Sequence, residues 1–537
     1  MLRPVESLLY RLLGVRTGRE MSARRYTQCF LLFSAAGTAG LFLLLLSQRW
    51  LPGGPDGRYL TTPMTWDLAL NTAISFSTTT TWQAHGGEST ACYLTQLLGF
   101  VSQNFLAGAA GLALGIAFIR GFARERSTTV GNFWVDLVRA LLWVLMPAAL
   151  VGSLALMWQG VPLNMAPYTE AHTLEGGVQT IAQGPVAALE FIKNLGTNGG
   201  GFFNANGAHP YENPTPSANF LGMLAIVVLP ASLTITFGHM TGRPRAGWVL
   251  LAVMVVLFVG GLALCDFAET AQPPELGGLH ISGGNMEGKE VRFGIGGSVL
   301  AAVVTSNGAT GSYNSMHGSY QPVGVLVPLV NMLLGEVIFG GLGTGLYSMV
   351  MIALVAVILG GLMIGRTPEY LGKKITAAET RLAVLYALLT PKVVLVLTAV
   401  ALATNAGRAG LVTNGGARGF TEVLFAYASC LANNGQSMAG LNANSVFYNA
   451  TTAVAMLAGR FGLAALAMAL AGRFAAQRRW PTTSGTLPSD SVMFGILVLG
   501  TILLVGALSF LPALALVLMF PPRGGNVQMA VNANNRT

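Results

Sequence analysis

The feature that most constrains this chain is its succession of long apolar runs, near residues 26–47, 93–119, 137–157, 220–237, 248–265, 323–362, 382–403, 446–470 and 492–514. Each approaches or exceeds the roughly 20 residues a helix needs to cross the hydrocarbon of a bilayer. Peptide groups there have no water to bond, so the segments must satisfy themselves as helices. The fold class that follows is an all-α polytopic membrane protein. Composition agrees, because 53% hydrophobic and 9% charged residues exclude the soluble classes. Cys29, Cys92, Cys265 and Cys430 stand far apart with no CxxC pair, so they read as helix packing rather than a zinc site or disulfide framework. The basic start has no apolar core of signal-peptide length, which predicts no cleaved export signal.

The run at 323–362 is too long for one span and contains "GGLGTG" (residues 340–345). Glycine lowers helix stability by about 1 kcal/mol relative to alanine, so a discontinuous helix is predicted here. Between the spans lie shorter helical stretches at 65–76, 184–195, 291–304 and 420–431, too short to cross and therefore re-entrant. Each runs into a polar or Gly-rich turn: "STTTTW", "GTNGGG", "SNGATGS" and "ANNGQS". This recurrence predicts four membrane-pore-membrane repeats of span, half-helix, turn and span. The organisation expected is a cytoplasmic segment 1–25, repeats at 26–121, 132–239, 246–366 and 381–473, an extra C-terminal helix at 491–516, and an external tail at 517–537.

Charge orients these elements. Arg120, Arg124, Arg126, Arg139, Arg243, Arg245, Arg366, Lys373, Lys374, Arg381, Arg473, Arg478, Arg479 and the six arginines before Tyr26 fall on one side, about 19 basic residues against about seven on the side of the turns. The turns then face outward, and the net charge of +9 reflects cytoplasmic bias rather than nucleic-acid binding.

Four re-entrant half-helices entering from one side can surround an axis and offer it unwound backbone. A carbonyl ring of that kind replaces the hydration shell of a monovalent cation, and the partially negative C-terminal ends of the half-helices favour the same sign. Gly199, Gly311 and Gly435 permit close backbone approach. Side-chain oxygens are available from Thr79, Thr80, Thr81, Thr197, Asn198, Thr310, Asn433 and Asn434. A Gly or Asn after one helix is most often only a cap; fourfold recurrence outweighs that reading. "STTTTW", which lacks glycine, keeps the alternative of threonines bonding backward to the chain.

At these residues the sequence resembles the A-subunit family of the bacterial Kdp potassium-transporting ATPase. The likeness runs almost end to end, through "TWDLALNTAISF", "LGTNGGGFFNAN", "NMEGKE", "GEVIFGG", "GLMIGRTPEYLGKK", "ANNG" and "TSGTLP". It implies the fold of the superfamily of K+ transporters, with K+ as the transported ion. It also implies a P-type ATPase B subunit (KdpB), a C subunit (KdpC) and a small F peptide (KdpF) as partners, in the bacterial inner membrane. The implied filter positions are Thr79, Thr80 and Thr81; Thr197, Asn198 and Gly199; Ala309, Thr310 and Gly311; and Asn433, Asn434 and Gly435, with Gln83 tuning affinity. Family members begin with one more membrane helix than is legible here, and their first turn mixes Asn with Thr where this one has only Thr.

Glu336 precedes the broken "GGLGTG" stretch and Arg460 lies midway through an apolar run; ionisable residues at such depth are functional candidates. Two readings stand: a gate built with Gly340, Gly341, Gly343 and Gly345, or an ion pair locking two repeats together. Arg366, Lys373 and Lys374 are expected to be cytoplasmic anchors or a docking site for a pump subunit. No GxxxxGK[ST] loop or DKTG motif occurs, so no nucleotide site is expected in this chain and ATP hydrolysis would belong to a partner. The expected function is potassium binding and translocation within an ATP-driven import complex; the alternative is a self-sufficient channel or potential-driven transporter.

Overall fold

The computed structural model describes residues 2–51, 60–272, 283–365, 368–481 and 487–519. Arg366, most of "TSGTLP" and the tail beyond Met519 lie outside them. The chain begins with a short helix, α1 (Arg3–Leu12), and then enters the first span, α2 (Ala23–Ser47). A half-helix α3 (Trp66–Ser77) follows, then a second span α4 (Thr95–Ala123). The same order recurs as α5 (Phe133–Trp158), α6 (Val186–Leu195) and α7 (Pro216–Met240). In the third instance α8 (Pro244–Thr270) and α9 (Gly294–Asn307) precede a second span divided into α10 (Pro322–Leu333) and α11 (Thr344–Ile364). The fourth comprises α12 (Ala377–Ala403), α13 (Gly416–Leu431) and α14 (Val446–Ala476), and α15 (Val492–Met519) follows. Among the described residues nine helices are long and apolar enough to span a bilayer.

Helix starts follow local chemistry. The side chains of Ser22, Asn132, Thr215 and Ser445 accept hydrogen bonds from amides in the first turns of α2, α5, α7 and α14, satisfying donors a helix leaves free. Thr376 and Glu379 form a reciprocal capping box on α12. The half-helices are more deeply buried than most of the spans, with every residue of α9 from Val299 to Asn307 except Leu300 buried. Their C-terminal ends are enclosed by protein, which is what allows non-helical backbone at membrane depth.

The discontinuous helix is present, but its break lies earlier than the glycine cluster alone suggests. Backbone with positive φ begins at Gly335 and Glu336, recurs at Phe339 and Gly340, and ends at Gly343, so that Thr344 starts the new helix and Gly345 lies inside it. Two spans approach each other through small residues here: a Cβ on Gly343 would stand 2.2 Å from the carbonyl oxygen of Gly111, and one on Gly115 3.0 Å from the Cα of Gly343. Gly111 and Gly115 form a GxxxG spacing on α4, the pattern that lets backbones meet in membranes.

Several basic residues at the ends of the spans make contacts between elements. Arg124 pairs with Glu20 at 2.6 Å, and its hydrogen bonds together with one from Thr129 hold the Glu20 carboxyl down to about 2. Lys373, in a hairpin between Glu369–Tyr370 and Lys373–Lys374, donates to the carbonyls of Arg124 (2.7 Å), Phe474 (2.9 Å) and Gln477 (2.9 Å). One ammonium thus caps the C-terminal ends of α4 and α14. Lys374 lies over the Trp480 ring.

Candidate functional site

Each half-helix ends in a turn of the same backbone form. Positive φ occurs at Thr79 and Thr81, at Thr197 and Gly199, at Ala309 and Gly311, and at Asn433 and Gly435. The residues between them, Thr80, Asn198, Thr310 and Asn434, are right-handed or extended and fully buried. Alternating left-handed with ordinary backbone turns successive carbonyls toward one side, unlike a strand, where they alternate.

The amides of these turns are bonded backward. Thr80 and Thr81 donate to the carbonyl of Ser75 (3.0 and 3.1 Å), Asn198 and Gly199 to that of Lys193 (2.8 and 3.0 Å), Thr310 to Thr305 (3.1 Å) and Asn434 to Ser429 (2.9 Å). The acceptor is in every case five residues before the middle of the turn. The carbonyls are treated oppositely. Among the described residues no N–H or O–H donates to the main-chain oxygens of Thr79 to Thr81, Thr197 to Gly199, Ala309 to Gly311 or Asn433 to Gly435. Buried backbone carbonyls are almost always paired, so a run of three unpaired ones in each of four turns marks a place built for another partner.

The four turns close into a ring. A Cβ on Gly199 would lie 1.3 Å from the carbonyl oxygen of Thr310; one on Gly311 2.5 Å from that of Asn434; one on Gly435 2.4 Å from that of Thr80; and one on Gly200 3.0 Å from that of Thr81. Each turn therefore abuts the next, and the fourth returns to the first. Glycine is needed at Gly199 twice over, for φ of +81° and for this contact.

Side chains of the turns brace the ring. The Asn433 amide donates to Thr80 Oγ1 (2.9 Å), that of Asn434 to the Thr305 and Ser306 carbonyls (both 3.1 Å), and that of Asn198 to Asn104 Oδ1 (3.0 Å). The hydroxyls of Thr79, Thr197 and Thr310 donate to neighbouring main-chain oxygens. Gln83 joins two turns, donating to the Gly201 carbonyl (3.1 Å) and accepting from its amide (2.8 Å).

The broken helix sits directly behind this ring. Leu342 N–H donates to Thr197 Oγ1 (2.9 Å) and Gly340 N–H to the Asn307 carbonyl (2.9 Å). Of the two readings of Glu336 and Arg460, the ion pair is not formed. Glu336 is turned under the Gly341 amide (3.0 Å), while Arg460 donates to Thr344 Oγ1 (3.0 Å) and the Ala107 carbonyl (3.3 Å). Both remain buried and both grip the broken segment, from opposite ends. Arg460 reaches inward from a wider, π-type turn at Ala458–Gly462, a feature frequent at functional sites that apolar periodicity does not reveal.

Two buried lysines lie beyond the candidate site residues that sequence motifs single out. Lys193 of α6 lies 2.5 Å from Glu190 and 3.5 Å from Glu212. Lys289, in "NMEGKE", lies 2.7 Å from Glu269 at the end of α8 and over the Tyr320 ring. The signal was a charged pair inside an apolar half-helix, "LEFIKNL".

Comparison with known proteins accords with this geometry. Residues 1–519 match the KdpA family, described as Potassium-transporting ATPase A subunit. The potassium-transporting ATPase potassium-binding subunits of Methylorubrum extorquens and Bradyrhizobium diazoefficiens are each 50% identical over 515 residues, 96% of this chain and 90% of theirs. That of Acidobacterium capsulatum is 48% identical over 535 residues, again 96% and 90%. Matched over nearly its whole length, the chain belongs to the KdpA family of potassium-transporting ATPase A subunits.

Proposed function

We propose that this chain is the potassium-binding, ion-translocating and non-catalytic subunit of an ATP-driven K+ importer. The observation that carries the reading is the ring of four turns whose buried main-chain oxygens have no protein donor among the described residues. Oxygens so presented stand in for the hydration shell of a monovalent cation, and the half-helix C-termini behind them add negative potential. We assign the ring to Thr79–Thr80–Thr81, Thr197–Asn198–Gly199, Ala309–Thr310–Gly311 and Asn433–Asn434–Gly435, with Gln83 tuning affinity through the loop of Gly201. The four repeats take the bounds 26–121, 132–239, 246–366 and 381–473.

From the ring the ion passes to the broken segment 334–343, where Glu336 and Arg460 control its position. The ATPase partner is KdpB, with KdpC and KdpF completing an inner-membrane complex; no nucleotide binds this chain. Support for a pump over a self-sufficient channel comes from the names of the relatives, all potassium-transporting ATPase subunits.

The test is Gly199→Asp in cells dependent on this system at limiting potassium. Growth at micromolar K+ is expected to be lost and restored at millimolar K+. Unaltered growth at limiting K+, or potassium uptake by the chain without an ATPase partner, would refute the reading.

A further inference from the structure

The position five residues before the middle of each turn is Ser75, Lys193, Thr305 and Ser429. In two turns its hydroxyl latches the outer limb of the same turn, and in a third the last residue of the ring. Ser75 Oγ donates to the Trp82 carbonyl (2.8 Å), Thr305 Oγ1 accepts from Ser312 N–H (2.8 Å), and Ser429 Oγ accepts from Gly435 N–H (3.0 Å). The second turn has a lysine instead, and it carries the glycine run Gly199 to Gly201, the backbone with least resistance to deformation.

Lys193 replaces the latch with an ionic one. Its ammonium, fully buried, lies 2.5 Å from Glu190 and 3.5 Å from Glu212 and donates to the Asn206 carbonyl (2.8 Å). Glu212 Oε1 in turn accepts from the amides of Phe202 (2.5 Å) and Phe203 (3.5 Å), the residues that leave the glycine run. The path is continuous: half-helix, Lys193, Glu212, outer limb. Meanwhile the Lys193 carbonyl holds the amides of Asn198 and Gly199, so one residue fixes the turn at both its inner and outer limbs.

We propose that Lys193, clamped between Glu190 and Glu212, is a selectivity-determining positioning residue of the carbonyl ring. It stiffens the one turn that lacks a hydroxyl latch, so that the ring cannot relax around a larger ion. The inference rests on the potassium reading above. Breaking the clamp lets the glycine run yield, and an ion of larger radius gains relative to K+.

The experiment uses the complete ATPase complex containing this chain, titrated separately with K+ and Rb+ while ATP hydrolysis is followed. The variants are the charge-free triple Glu190→Gln/Lys193→Met/Glu212→Gln, which strands no buried charge, and Glu212→Gln alone. Half-saturating K+ is expected to rise at least tenfold in the triple variant. The ratio of half-saturating Rb+ to K+ should fall at least fivefold, with maximal turnover within about twofold of wild type. Equal shifts for both ions, or none, overturn the proposal. Should the triple variant not assemble, Glu212→Gln decides alone: an unchanged Rb+ to K+ ratio overturns the proposal and a fall of twofold or more supports it. A wild-type complex whose hydrolysis ignores K+ would instead refute the potassium reading itself.

Discussion

At the scale of single residues, function depends on what is left unbonded. The turn amides are spent on Ser75, Lys193, Thr305 and Ser429, which leaves the carbonyls available to the ion proposed above. Gly199→Ala, a far smaller change than Gly199→Asp, adds one carbon 1.3 Å from the Thr310 oxygen at φ of +81°. Half-saturating K+ for ATP hydrolysis is expected to rise at least tenfold, about 1.4 kcal/mol or more of binding, in a complex that still assembles. Gln83→Ala removes two hydrogen bonds that tie the first turn to the loop of Gly201. Loss of about 1 kcal/mol per bond corresponds to roughly a five- to thirtyfold weaker K+ response in the same titration. The threonine-only first turn finds its physical account here: the Thr80 hydroxyl receives the Asn433 amide, so it serves the fit between turns.

At the scale of elements, the divided span and the hairpin after it are the parts set to move or to hold. Gly343→Ala would force a Cβ to 2.2 Å from the Gly111 oxygen, pushing α11 off α4. Potassium uptake is expected to fall at least tenfold while half-saturating K+ stays within about threefold, because the contact lies behind the ring; ion flux and ion affinity measured on one preparation separate the two. Lys373→Met leaves three carbonyls at the ends of α4 and α14 without their donor. A stability loss of about 3 kcal/mol is expected, since bonds to a charged group are each worth roughly 1.5–3 kcal/mol and the cost of burying the ammonium, which also lowers its pKa to about 8, offsets part of their sum. It is read as a lowered thermal midpoint in detergent, with Lys373→Arg recovering part of it.

At the scale of the whole molecule, the proposed orientation places the turns outside and the basic ends inside. In intact cells a membrane-impermeant maleimide is expected to label Glu175→Cys, in the exposed hairpin loop before α6, and to spare Arg16→Cys until the membrane is opened. The reverse pattern would invert the topology and place the half-helix dipoles on the wrong side for uptake. Three of the native cysteines are buried, which keeps the background low.

Much of this was already legible in one dimension. Apolar runs of membrane length, half-length segments between them and four polar turns determined an all-α membrane protein and pointed to the residues of the ring, because bilayer thickness and the need to satisfy every peptide group act on local sequence. Tertiary structure alone decided what those residues do. That Asn198, Asn433 and Asn434 brace neighbours with their side chains, that Glu336 and Arg460 grip the broken segment without touching each other, and that Lys193 stands where three other turns carry a hydroxyl all depend on contacts between segments distant in the chain or on backbone turned left-handed by packing. Periodicity reports which face of a helix is greasy. It carries no information about which buried polar atom finds a partner, and the ion site proposed for this protein is made of oxygens that find none.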